Sequence, residues 1–164
     1  MIPLCIYHGN CADGFGAALV VWKYFKTEVD LFPGVYQKEP PDVTKRHVLL
    51  VDFSYKRPVL EKMLETAYSV TVLDHHDTAM TDLAGLPVPE LEMFGSDIHK
   101  SVLAGGDVYP NLYALFDMKR AGAMITWDFF FPGREAPRLL HHIQDRDLWK
   151  FEIPGTREIQ ANLF

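Results

Sequence analysis

Apolar residues along this chain fall into short runs separated by polar turns. Leu4–Tyr7, bounded by Pro3 and Gly9, reads as a buried strand. Phe15–Phe25 follows, with Phe15, Ala18, Leu19 and Trp22 at helical spacing, and predicts a helix with that stripe inward. Val29–Phe32 is a second strand, stopped by Pro33-Gly34. His47–Phe53 contains Val48, Leu49, Leu50 and Val51 in sequence, and such a continuous run fits a parallel strand covered on both faces. Lys56–Ala67 predicts a helix that turns Val59, Leu60, Met63 and Leu64 inward. Val70–Leu73 and Leu112–Phe116 are further strands, and Ala121–Phe131 and Ala136–Ile143 further helices. Residues 85–111 read as loop with one short helix. Trp22, Trp127, Trp149 and Phe129 to Phe131 are assigned to the core rather than to base stacking.

Strands alternating with helices predict the α/β class: a Rossmann-like, mostly parallel sheet flanked by helices. The 164 residues suffice for one domain, taken as residues 1–164. In such sheets ligands bind beyond the carboxyl ends of the strands. Three predicted strands end on residues able to hold metal. The first runs into His8, the third into Asp52, and the fourth into Asp74, His75 and His76.

Composition narrows the function. Sixteen Lys+Arg against 22 Asp+Glu give a formal charge of −6, which disfavours binding of long duplex nucleic acid through bulk positive charge. Short anionic substrates held through bound metal remain compatible with it. No apolar run approaches the ~18 residues of a membrane span, and the first ten residues lack the charged start of a signal peptide. Two cysteines, Cys5 and Cys11, make no disulfide framework, so the expected setting is the cytoplasm.

Imidazole and carboxylate together in Asp74-His75-His76-Asp77 suit ions such as Mn²⁺, Zn²⁺, Fe²⁺ or Co²⁺. Alone, a His-His pair is more often a polar strand cap. Asp52 reads either as a turn residue leading into the next helix or as a carboxylate bridging two cations. His8 to Gly16 is a Gly-rich strand-to-helix turn, neither a Walker loop nor a dinucleotide fingerprint. Asp145-Arg146-Asp147 reads as a solvated helix end or as ligands. Arg120, beside Lys119, reads as a phosphate anchor at a helix start or as surface charge. His141-His142 is placed at the surface or behind the ligands, and His47 and His99 are given no partner.

These motifs together resemble the DHH phosphoesterase superfamily, which includes RecJ-type exonucleases, nano-RNases, cyclic-dinucleotide phosphodiesterases, exopolyphosphatases and family II pyrophosphatases. The similarity covers residues 4 to 160, through YHGNCADGFGAA, LLVDFS, Asp74-His75-His76, FDMKRAGAMITWDFF and IQDRDLWKFEIPGTREI. It implies two divalent cations, Mn²⁺ first, with Mg²⁺, Co²⁺ or Zn²⁺ as alternatives. It implies Asp52 as the bridge, His8 on one ion, and Asp13, His75 and Asp145 on the other. His76 would meet the substrate phosphate, Asp74 would orient the histidines, and Arg120 or Arg146 would neutralise phosphate charge. The implied activity is two-metal hydrolysis of phosphodiester or phosphomonoester bonds in short nucleotidic substrates: oligoribonucleotides, cyclic dinucleotides or nucleoside bisphosphates. Pyrophosphate or polyphosphate hydrolysis, and a non-catalytic nucleotide- or metal-binding module, are the alternatives; an oligomer is compatible with any of them.

Two departures accompany the resemblance. Where most members carry Asp-x-Asp in the first motif, Cys11 stands ahead of Asp13, with Asn10 as the other available donor. Asp147 is likewise the alternative to Asp145. The Gly-Gly-Gly-His motif of the C-terminal domain in many relatives does not occur, as expected of a minimal form or of a truncated one.

Overall fold

A computed structural model of the chain describes residues 2–26, 28–94 and 111–163. Five parallel strands form one sheet in the order β2-β1-β3-β4-β5: β1 Leu4–His8, β2 Asp30–Gly34, β3 His47–Val51, β4 Ser69–Asp74 and β5 Leu112–Phe116. The helices are α1 Ala12–Tyr24, α2 Arg57–Met63, α3 Asp77–Asp82, α4 Gly122–Phe130, α5 Arg138–Asp147 and α6 Thr156–Leu163, with a 3₁₀ turn at Leu91–Phe94. The α/β fold read from the sequence is therefore present. No helix among the described residues is long and apolar enough to cross a membrane.

The apolar run of β3 has a direct structural cause. Side chains alternate across a strand, so Leu49 and Val51 enter the core beneath α1, α4 and α5, while Val48 and Leu50 enter the core beneath α2. β1 divides the same way, with Cys5 on one side and Leu4 and Ile6 on the other. From β1 the chain moves through α1 to β2 at one edge; from β3 it moves through α2 toward β4 and β5. This reversal puts α1 and α2 on opposite faces and opens a crevice at the carboxyl ends of β1 and β3.

Several boundaries and faces differ from the sequence reading. β2 continues through Pro33, which pairs with Tyr7. It is an edge strand with one neighbour, where a missing N–H costs little. The stripe expected to face the core from α1 faces outward: Phe15, Leu19 and Trp22 are 41%, 38% and 43% exposed. The buried face is made by Gly16, Ala17, Val20 and Val21, whose small size lets α1 approach closely. A Cβ on Gly16 would meet Ile143 Cδ1 at 2.9 Å. Trp127 is buried, but Trp149 is 77% exposed. α3 buries no residue and α6 buries only the polar Thr156 and Gln160, so neither left an apolar signature. His47 Nδ1 lies 2.7 Å from Ser69 Oγ across the β3–β4 pair. His99 and most of the 85–111 loop lie outside the described residues.

These burials separate two tryptophans by stability. Trp127→Ala should cost about 3–5 kcal/mol in urea unfolding, and Trp22→Ala no more than about 0.5 kcal/mol. Equal losses would contradict the assigned faces of α1 and α4.

Candidate metal centre

β1, β3 and β4 each deliver polar side chains to the crevice at the point where strand order reverses. Asp52 leaves β3 with φ 53°, a left-handed conformation that Asp adopts more readily than most residues, while its N–H still bonds Leu73 O at 3.0 Å. Its side chain is almost wholly buried. One carboxylate oxygen, Oδ1, lies 3.1 Å from His75 Nε2. The other, Oδ2, lies 3.5 Å from His8 Nδ1 and 3.7 Å from Cys11 Sγ. The two oxygens of one carboxylate thus face two different ligand sets.

On the first side His8, Cys11 and Asp52 bring ligand atoms within 4.8 Å of one another. Asn10, exposed in the turn at φ 55°, is not part of this group. On the second side Asp13, His75 and Asp147 do the same. His75 Nε2 lies 3.5 Å from Asp13 Oδ2 and 3.6 Å from Asp147 Oδ2, besides its contact with Asp52. Asp74 Oδ1 accepts the His75 N–H at 2.8 Å and lies 2.6 Å from His76 Nδ1. Its other oxygen is buried without a partner among the described residues.

Asp13 also holds the scaffold together. It accepts the N–H groups of Gly122 and Ala123 at 2.7 and 2.8 Å, satisfying the open N-terminus of α4. That helix start lies against Asp52: a Cβ on Gly122 would come within 2.5 Å of Asp52 Cβ. Gly122, which weakens a helix start by propensity, is therefore required by contact.

The charges are crowded. Burial raises the Asp52 carboxyl, but His75 and His8 outweigh it and hold it at about 2. His8 is pushed up to about 10 by Asp52 and Cys11, against its partial burial. Burial lowers His75, yet the charges of Asp52 and Asp147 leave it raised. Asp13 is raised by burial and by the charges of Asp52 and Asp147. Burial raises Asp147 as well, and Asp52 adds to this against the pull of His75, His76 and Arg146. Three carboxylates, those of Asp52, Asp13 and Asp147, thus converge on His75 Nε2. The residues fit divalent cations on this ground: the donors are imidazole, carboxylate and thiol, and the cluster demands compensating positive charge.

Two expected roles, those of Asp145 and Arg120, are revised by the geometry. Asp145 is not in the cluster. Its carboxylate accepts from Glu152 N at 2.8 Å, Ile153 N at 3.0 Å and Thr156 Oγ1 at 2.6 Å, tying α5 to the start of α6. Residues two apart on a helix face different directions, so only Asp147 of this acid pair reaches His75. Arg120 is engaged elsewhere, bonding Asp117 Oδ2 at 2.7 Å and Asp128 Oδ2 at 2.5 Å. Arg146 is exposed and acts on the cluster through its charge near Asp147. His142, expected at the surface or behind the ligands, is 2% exposed, with Nδ1 2.8 Å from Thr156 Oγ1. Tyr36 was not anticipated. Its ring meets His8 edge-on at 5.3 Å and Phe53 at 4.8 Å, and no pattern in the sequence around it announces this position.

No family model matches the chain, and no solved structure matches it. It is similar to an uncharacterized protein of Acanthamoeba polyphaga mimivirus, with 32% identity over 173 residues covering 96% of this chain and 36% of the viral protein. The chain thus spans about a third (36%) of the length of the curated relative it matches.

The two acids of α5 separate in a paired test. Asp145→Asn should lower the melting temperature of the metal-free protein more than Asp147→Asn. Asp147→Asn should weaken Mn²⁺ binding in calorimetry more than Asp145→Asn. The reverse ranking in both measurements would return the ligand role to Asp145.

Proposed function

We propose that this chain is a metal-dependent phosphoesterase of the DHH type, hydrolysing phosphate esters of short nucleotidic substrates. The observation that carries the reading is the Asp52 carboxylate, one oxygen toward His8 and Cys11 and the other toward His75, at the switch point of a parallel sheet. The order of motifs along the chain, ending in Asp74-His75-His76 after β4, supports it. When bound, two divalent cations would polarise the phosphate and stabilise the charge that develops on its oxygens.

The residues around that position have separable tasks. Asp52, His8 and Cys11 would hold one cation, and Asp13, His75 and Asp147 would hold the other. Asp74 fixes both histidines, because one oxygen receives the His75 backbone N–H and the His76 ring. The same contact raises the His76 pKa, against its partial burial. His76 Nε2, which has no hydrogen-bond partner among the described residues, would be the ring atom available to the substrate phosphate. Cys11 makes the two sides unequal. A thiolate favours softer ions such as Zn²⁺, Co²⁺ or Fe²⁺, and the carboxylate-rich side favours Mn²⁺ or Mg²⁺.

Two measurements test this. Mn²⁺ at a hundredfold excess over its Kd should raise Tm by about 5–10 °C, from a linkage of about 2.7 kcal/mol at roughly 2–4 °C per kcal/mol. With Mn²⁺ present, a panel of short oligoribonucleotides, cyclic dinucleotides, nucleoside bisphosphates and pyrophosphate should show turnover that Asp52→Asn reduces by more than about 100-fold, beyond the usual cost of losing a supporting residue. Equal background rates in wild type and variant would favour a binding module instead.

The thiolate gives a separate optical readout. Co²⁺ titrated into the metal-free protein should produce a near-ultraviolet charge-transfer band that Cys11→Ser abolishes. A band unchanged in Cys11→Ser would remove Cys11 from the ligand set.

A further inference from the structure

A cavity of about 950 Å³ lies beside the candidate metal centre, between the Pro40-Pro41 segment that follows β2, helix α2 and the start of α3. It falls at the upper end of the volumes that enclose small-molecule ligands. The same turns that carry the site build its walls. Ser54 and Tyr55 follow Asp52 by two and three positions, and Thr78 follows His76 by two; all three line it. Tyr36 lines it as well while its ring stands against His8, so the cavity and the metal centre share a wall. The charges of Asp74 and Asp52 reach Tyr36, which burial first and these charges next push up to about 12.

The lining chemistry selects among the parts of a nucleotide. Three lysines are set against four carboxylates, so the cavity offers no net attraction for a second phosphate. Its lining also includes Val43, Val59, Met63 and the Tyr36 and Tyr55 rings, apolar and aromatic surface that suits a planar heterocycle. Tyr55 is 8% exposed and its hydroxyl has no hydrogen-bond partner among the described residues. A buried hydroxyl left without a partner is costly unless a ligand supplies one.

We propose, resting on the phosphoesterase reading, that this cavity receives the nucleobase of the substrate whose phosphate lies at the metal centre, with the Tyr55 hydroxyl as its hydrogen-bonding contact. Base recognition is then built into this domain and needs no cation.

The test uses the metal-free chain with adenosine, guanosine, cytidine and uridine, read by calorimetry and ligand-observed NMR, with ribose 5-phosphate and inorganic phosphate as base-free probes. At least one nucleoside should bind and the base-free probes should not. Tyr55→Phe should weaken that nucleoside about two- to tenfold, the range of one hydrogen bond. Its melting temperature should stay unchanged or rise, because the hydroxyl it loses has no partner. Val59→Trp, which fills the cavity from a half-buried position, should abolish nucleoside binding while Mn²⁺ still shifts Tm. Failure of every nucleoside to bind, or binding that both variants leave intact, would overturn the proposal. Mn²⁺-dependent hydrolysis of a base-free ester such as bis-p-nitrophenyl phosphate separates the two readings. Hydrolysis without nucleoside binding sinks the base site alone. Nucleoside binding sensitive to both variants, with no hydrolysis of any phosphate ester, supports the base site and sinks the phosphoesterase reading.

Discussion

A single buried carboxylate organises this molecule. Asp52 sits at the end of a strand buried on both faces, and its two oxygens divide the surrounding donors into two sets. A lone buried carboxylate would be expelled or protonated. This one stays ionised, held at about 2, because two imidazoles face it against the cost of burial. Those imidazoles reach it only because β1 and β4 flank β3 in parallel, ending at the same rim. The helix start beneath it is held in turn by Asp13, which belongs to the cluster itself. Scaffold and site are therefore coupled. Residues that would ligate cations also cap a helix and fix a strand end, so their removal is felt in both.

The fold was legible where physics writes it locally. The run Val48 to Val51 is continuous because alternate side chains feed two separate cores, and that continuity marked β3 as central. The meeting of His8, Asp52 and His75 at one rim was legible because each lies at the end of an apolar run, and a parallel sheet brings such ends together. What failed was the choice of face or neighbour. Large apolar residues on α1 suggested the inner face, but close packing required its small ones. Asp145 and Asp147 look alike in sequence, yet their helical directions send one to the backbone of residues 152 and 153 and the other to His75. Arg120 looked available until Asp117 and Asp128 were seen to hold it. The cavity next to Tyr36 depends on three segments remote in sequence and had no local signature.

Cys11 gives the site its individual character. In the proposed reading it replaces an oxygen donor by sulfur on one side of Asp52 only. The two sides then differ in softness, and the preferred ion differs between them. The viral relative matches nearly all of this chain, with 36% of its own length aligned.

The most direct measurement is anomalous diffraction from crystals of the protein equilibrated with Mn²⁺, and separately with Co²⁺. The account requires two peaks, one on each side of the Asp52 carboxylate, with His8 and Cys11 on the first and Asp13, His75 and Asp147 on the second. A crevice empty of bound ions at saturating metal, or ions bound only at other surfaces, would contradict it.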